Sequence, residues 1–201
     1  MNFIFRKLFK NIPPEKECEF LVRRAAGSGY KVFANEKFRE LAKWDTQSDV
    51  ERDRIFNELV ATAVIYLMLL IDGSLDQIRP GRQHFWRDLR ALVPETFVGW
   101  LRNLGIAAEH ADIWRKLLDL RLREYVEGQK ETRQAWTRVF ADHPDKDVLN
   151  DAAVRLETLT VGTLLHITRG NAPTNPADPL RRHLRTWLST LEAKLGKRVG
   201  W

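Results

Sequence analysis

One cysteine, Cys18, stands among 201 residues, so no disulfide can form within the chain. A reducing compartment agrees with that composition. Acidic residues flank Cys18 in "EKECEF" and no histidine is near it in sequence, which disfavours a thiolate and argues for an inert thiol. The histidines are equally uninformative as ligands. His84, His110, His143, His166 and His183 include no pair four residues apart, and no Glu-x-x-His occurs anywhere in the chain. That leaves out the usual helical zinc and di-metal patterns. The carboxylates Glu124, Glu127 and Glu131 are interspersed with Lys130 and Arg133, the pattern of a solvated helix face. "AAGSGYK" lacks the spacing of a phosphate-binding loop. No catalytic constellation, metal site or cofactor is expected. Near the start, Arg6, Lys7 and Lys10 interrupt what a secretory leader would need as an unbroken apolar stretch. The expected location is therefore the cytoplasm, with peripheral contact to a membrane as an extension of that expectation.

What is present reads as a folded helical protein. Apolar residues make up 44% and charged residues 30%, and helical spacing of apolar positions recurs while alternating strand patterns are scarce. The longest uncharged run is "LVATAVIYLMLLI", thirteen residues from Leu59 to Ile71. As a helix it rises about 20 Å, against a hydrocarbon core of about 30 Å. Glu58 and Asp72 bound it, with neither a positive flank nor an aromatic belt. It reads as a central helix wrapped by others. Ser48 and Glu51 in "SDVE" form a capping box at its start. Thr62, Tyr66 and Met68 are the contacts this helix could offer to a pocket for a small molecule.

The other expected helices cover about residues 2–11, then Pro13-Pro14 to just before Gly27, 31–44, 82–92, 94–104 and 107–141. The last of these is either one helix or two joined near Gly128. Two more follow, at about 145–168 and from Asp178-Pro179 to near Gly196, separated by the loop "RGNAPTNPAD". The fold class predicted is all-α: a single-domain bundle of about seven to eight helices with a buried central helix near 49–72. Residues 1–12 form a basic amphipathic N-terminal helix and 13–201 the bundle domain.

The net charge is +6, and its distribution carries the functional expectation. Residues 1–12 hold three basic side chains and no acid. Residues 176–201 hold six basic side chains against Asp178 and Glu192, and the stretch between holds 24 basic and 25 acidic. Basic ends on a neutral body point to a partner or surface reached by the termini. In "MNFIFRKLFKNI", Phe5, Leu8, Phe9 and Ile12 share a face, and Arg6, Lys7 and Lys10 lie away from it. Such a segment packs on its own protein, on a protein partner, or on an anionic membrane surface. In the last helix, Arg181, Arg182 and Arg185 border the stripe Leu180, Leu184, Trp187, Leu188, Leu191 and Leu195. Arg79, Arg82, Arg87 and Arg90, with Trp86 among them, form the best internal basic patch.

Residues 98–118, "VGWLRNLGIAAEHADIWRKLL", have the turn glycine of a helix-turn-helix, Gly105, with Trp100, Leu104, Ile106 and Trp114 at suitable offsets. Leu101 is large for a close helix crossing, and Glu109 and Asp112 open the second helix with the wrong charge for DNA. The leading expectation is a non-catalytic helical binding or adaptor protein engaging a protein partner or an anionic membrane. A nucleic-acid-binding protein, and a small-ligand or enzyme pocket around the central helix, are the alternatives.

Overall fold

In the computed structural model, which describes residues 12–140 and 150–199, the chain is all-α. Seven α-helices are present among the described residues: α1 (Pro14–Phe33), α2 (Glu36–Leu41), α3 (Asp49–Ser74), α4 (Pro80–Asn103), α5 (Ala108–Val139), α6 (Asp151–Ile167) and α7 (Pro179–Val199), with a 3₁₀ turn at Trp44–Thr46. The segment at 1–11, with its basic amphipathic pattern, lies outside the described residues.

Helix starts follow local chemistry. Ser48 accepts a hydrogen bond from the Glu51 backbone N–H (3.3 Å), Asn150 from Ala153 (2.8 Å) and Asp178 from Arg181 (2.9 Å), each satisfying a donor that the first turn leaves unpaired. Asn35 does the same for Phe38 (2.9 Å). That cap breaks the helix expected over 31–44 into the end of α1 and a separate α2, and Lys43 then turns left-handed at φ 53°.

α3 is the centre. Every residue from Glu58 to Ile71 is buried. The helix is long and apolar enough by length and composition to cross a membrane, yet 83% of its most apolar window is enclosed by the other helices. Burying each Val, Leu or Ile of that stretch contributes about 1.5–3 kcal/mol. α1 packs most extensively on α3 and α4, while α6 and α7 pair with each other and cover the opposite flank of α3.

Two helices run through residues expected to end them, and a third is the single-helix alternative of the two left open at Gly128. α1 continues past Gly27 because Gly29 lies against α3: a Cβ there would stand 2.9 Å from the Leu59 carbonyl oxygen and 2.9 Å from the Val60 Cα. The glycine serves a close crossing rather than a C-cap. α4 continues through Pro94, since Leu89, Val93 and Phe97 hold it to the core on both sides of the missing N–H. α5 continues through Gly128, whose absent Cβ would meet Thr158 Cγ2 at 3.0 Å.

Glu58 and Thr62 of α3 are paired in a polar ladder, which Tyr66 extends through its ring while its buried hydroxyl has no hydrogen-bond partner among the described residues. Glu58, 5% exposed, accepts two hydrogen bonds from Arg121 of α5, at 2.5 and 2.8 Å. One turn on, Thr62 lies 3.0 Å from the Tyr125 hydroxyl and 3.1 Å from that of Thr163. Thr163 donates to the Leu159 carbonyl (2.6 Å), so it accepts from its neighbours. Burial pushes the Tyr125 phenol up to about 12, keeping it a neutral donor. The next turn brings Tyr66 beneath Arg155, whose guanidinium carbon lies 5.8 Å from the ring centroid and whose Nη2 donates to Glu192 of α7 at 2.5 Å.

Beside the first rung, His166 sits 3.2 Å from Glu124. Burial and the Arg121 cation hold its imidazole below the ordinary value, outweighing Glu58 and Glu124. At the chain's far reaches, buried Glu17 of α1 accepts from Arg198 of α7 at 2.6 and 3.0 Å.

Two outcomes are expected from this packing. Gly29→Val destabilises by about 2–3 kcal/mol through overpacking against backbone, whereas Gly27→Ala, which meets open space, stabilises by up to about 1 kcal/mol; urea unfolding followed by circular dichroism measures both. Arg121→Met strands a buried Glu58 and costs about 3–5 kcal/mol, while Glu58→Met with Arg121→Met recovers most of it. A double variant no more stable than the single one contradicts the pairing.

Candidate functional site

A half-open groove of about 820 Å³ lies between α1, α3, α4 and α5. Each helix offers one stripe to it. α3 contributes Asp53, Phe56, Asn57 and Val60, and α5 contributes His110, Ile113, Trp114 and Leu117; both sets follow the i, i+3, i+4, i+7 spacing of a single helix face. α1 adds Ala26, Gly27 and Tyr30, and α4 adds Trp100 and Leu101, with Leu104 and Ile106 from the connection.

The walls are braced from behind. Phe97, fully buried, meets Trp114 edge-on at 5.4 Å and lies 6.0 Å from Trp100. Phe33 meets Phe56 at 5.0 Å and Trp44 at 4.8 Å, both edge-on. Arg115 of α5 donates to Glu95 of α4 at 2.7 and 2.9 Å and to Asp112 at 2.9 Å, locking the two helices together. Their elbow is Gly105 at φ +89°, a conformation that costs other residues dearly. The Ile106 N–H then bonds the Leu101 carbonyl at 3.1 Å, which ends α4 tightly and sets Leu104 and Ile106 at the lip.

The lip is apolar and uncovered: Tyr30 is 59% exposed, Leu104 62%, Ile106 38% and Ile113 60%. The floor is core, with Val60 and Ala26 buried. Among the described residues, Asp53 supplies the only carboxylate and His110 the only imidazole that line the groove. The arrangement suits the capture of an apolar shape, with a few polar groups to orient it.

The sequence-predicted sites fall elsewhere. Thr62, Tyr66 and Met68 do not line this groove; they are buried in the core, where Thr62 belongs to the polar ladder. Arg79, Arg82 and Arg87 are exposed at the start of α4, but Arg90 is bound to Asp72 at 2.9 Å. On α7, Arg181 and Arg185 both converge on Glu157, while Arg182 is exposed with no carboxylate partner among the described residues. Phe5, Arg6, Lys7, Leu8, Phe9 and Lys10 lie outside the described residues. Cys18 is fully buried, 3.3 Å from the Thr96 hydroxyl, and burial pushes its thiol up.

The sequence reading did not assemble the groove. Its one signal was the 98–118 stretch, where Trp100, Leu104, Ile106 and Trp114 supply more large apolar side chains than one buried face requires. Comparison with family models, with curated proteins and with solved structures found no match.

Proposed function

We propose that this chain is a non-catalytic binding or adaptor protein, and that its groove receives the apolar face of a helix from a protein partner. One observation carries the reading: four large apolar side chains, Tyr30, Leu104, Ile106 and Ile113, stand uncovered around a cavity whose walls are packed from behind by Phe97 and by the Arg115–Glu95 pair. Exposed apolar side chains gathered at one concave place mark interaction sites, whereas scattered ones do not. A helix offers anchors at i, i+3, i+4 and i+7, which suits a groove lined by helical stripes. Pre-braced tryptophans lose little freedom on binding and are frequent anchors of interfaces.

The basic amphipathic segment at residues 1–12 adds a second contact in this proposal, to the partner or to an anionic membrane surface. The nucleic-acid alternative draws less support, because Arg181, Arg185 and Arg90 are already held by carboxylates. A small apolar ligand in the same groove is the second reading, favoured by a volume of about 820 Å³, inside the usual range for ligand pockets.

The test places a photo-crosslinking amino acid at Ile113, with the 73%-exposed Val50 as the control position. A discrete crosslinked protein at position 113, absent at position 50 and lost on Leu104→Asp, is the expected result. Leu104→Asp leaves the unfolding temperature within about 2 °C, as a substitution at an exposed position should. Equal crosslinking at both positions, or indifference to Leu104→Asp, contradicts the reading.

A further inference from the structure

The groove also specifies the charge of what it holds, an inference that rests on the groove being the binding surface. α3 carries four carboxylates in its first three turns: Asp49, Glu51, Asp53 and Glu58. Three of them meet arginines. Asp49 pairs with Arg52 at 3.3 Å, Glu51 with Arg54 at 2.8 Å and with Arg169, and Glu58 with Arg121 at 2.5 Å. Asp53 pairs with no cation among the described residues, and it alone of the four lines the groove.

Among the described residues, no lysine or arginine lines the groove, although the chain is basic overall. The surrounding aromatics add to the effect. Tyr30, Phe56, Trp100 and Trp114 line the groove, and aromatic rings attract cations through their quadrupoles. An occupant that covers Asp53 without a counter-charge strips water from a carboxylate and gives nothing back, so it is selected against.

We propose that the groove takes an amphipathic helix carrying a lysine or arginine at the edge of its apolar face, and that Asp53 selects for that charge. The apolar side chains of such a helix fill the space between Trp100 and Trp114, and its cation meets Asp53 at the rim.

Residues 1–12 of this chain have the required chemistry in sequence, with Phe5, Leu8, Phe9 and Ile12 beside Arg6, Lys7 and Lys10. The probe is therefore a fluorescent synthetic peptide of that sequence, added to the full chain and followed by anisotropy. A second peptide carries Arg6→Glu, Lys7→Glu and Lys10→Glu. The basic peptide binds, and Asp53→Lys weakens it about tenfold, the scale of a close interfacial charge pair. The acidic peptide binds the unsubstituted chain poorly and gains on Asp53→Lys, so the preference is exchanged. Leu104→Asp removes both.

If the two peptides bind equally and Asp53→Lys moves neither, charge selection is overturned while the groove reading stands. If binding persists unchanged in Leu104→Asp, the groove is not the site and both readings fall. Failure of the basic peptide to bind the unsubstituted chain also overturns the proposal. An unchanged unfolding temperature for Asp53→Lys keeps these outcomes apart from loss of fold.

Discussion

Complete enclosure of α3 is the constraint on which the rest of the structure depends. A helix buried on all sides needs neighbours on all sides, and each polar group it carries needs a partner on one of them. Glu58, Thr62 and Tyr66 recur every fourth residue and so form one line along the helix. Arg121 and Tyr125, four residues apart on α5, answer the first two, and Thr163 of α6 completes the second rung. Arg155 of α6, itself 2% exposed, lies over the ring of the third and is neutralised by Glu192 of α7. The ladder fixes which helices lie beside α3 and at what height, because slipping by one turn would strand a buried carboxylate or a buried guanidinium.

The other side of α3 is solved by close approach. Gly29 brings the α1 backbone against Leu59 and Val60. A tight crossing at that height also places the neighbouring Ala26 and Gly27, which have no long side chains, at the edge of the space between α1 and α5. α4 and α5 diverge from their elbow at Gly105, and the wedge between them and the α1–α3 crossing becomes the groove. Site and fold thus share an origin. Small residues that let two helices touch leave room beside the contact, and Trp100, Trp114 and Phe56 line that room without filling it.

Much of this was legible in the sequence where the chemistry is local. The uncharged run at 59–71, too short to span a bilayer and bounded by acids, reads as a central helix and is one. Ser48, Asp178 and Pro14 mark helix starts because capping is decided within four residues. Gly27 and Pro94 were misleading as helix ends, since tertiary packing outweighs a local preference of about 1–3 kcal/mol. The groove was not legible. Its lining comes from four helices spread between Ala26 and Leu117, and helical spacing alone does not distinguish a stripe facing a cavity from one facing the core. The expectation of pocket contacts at Thr62 and Tyr66 rested on polar residues in an apolar run, which is also the signature of a polar ladder. Charge counting behaved similarly. The basic excess of the last helix is real, but Arg181, Arg185 and Arg198 are held by Glu157 and Glu17, carboxylates distant in sequence.

The enclosure of α3 is tested most directly by native-state hydrogen exchange on the full chain in detergent-free buffer. Amides from Val60 to Ile71 are expected to exchange last in the molecule, with an opening free energy equal to that of global unfolding from denaturant titration. Their protection is expected to be unchanged by added lipid vesicles. Exchange of this stretch through a smaller opening, earlier than the amides of α1 and α6, or a change in its protection on adding vesicles, would show that α3 is not the closed centre of the fold.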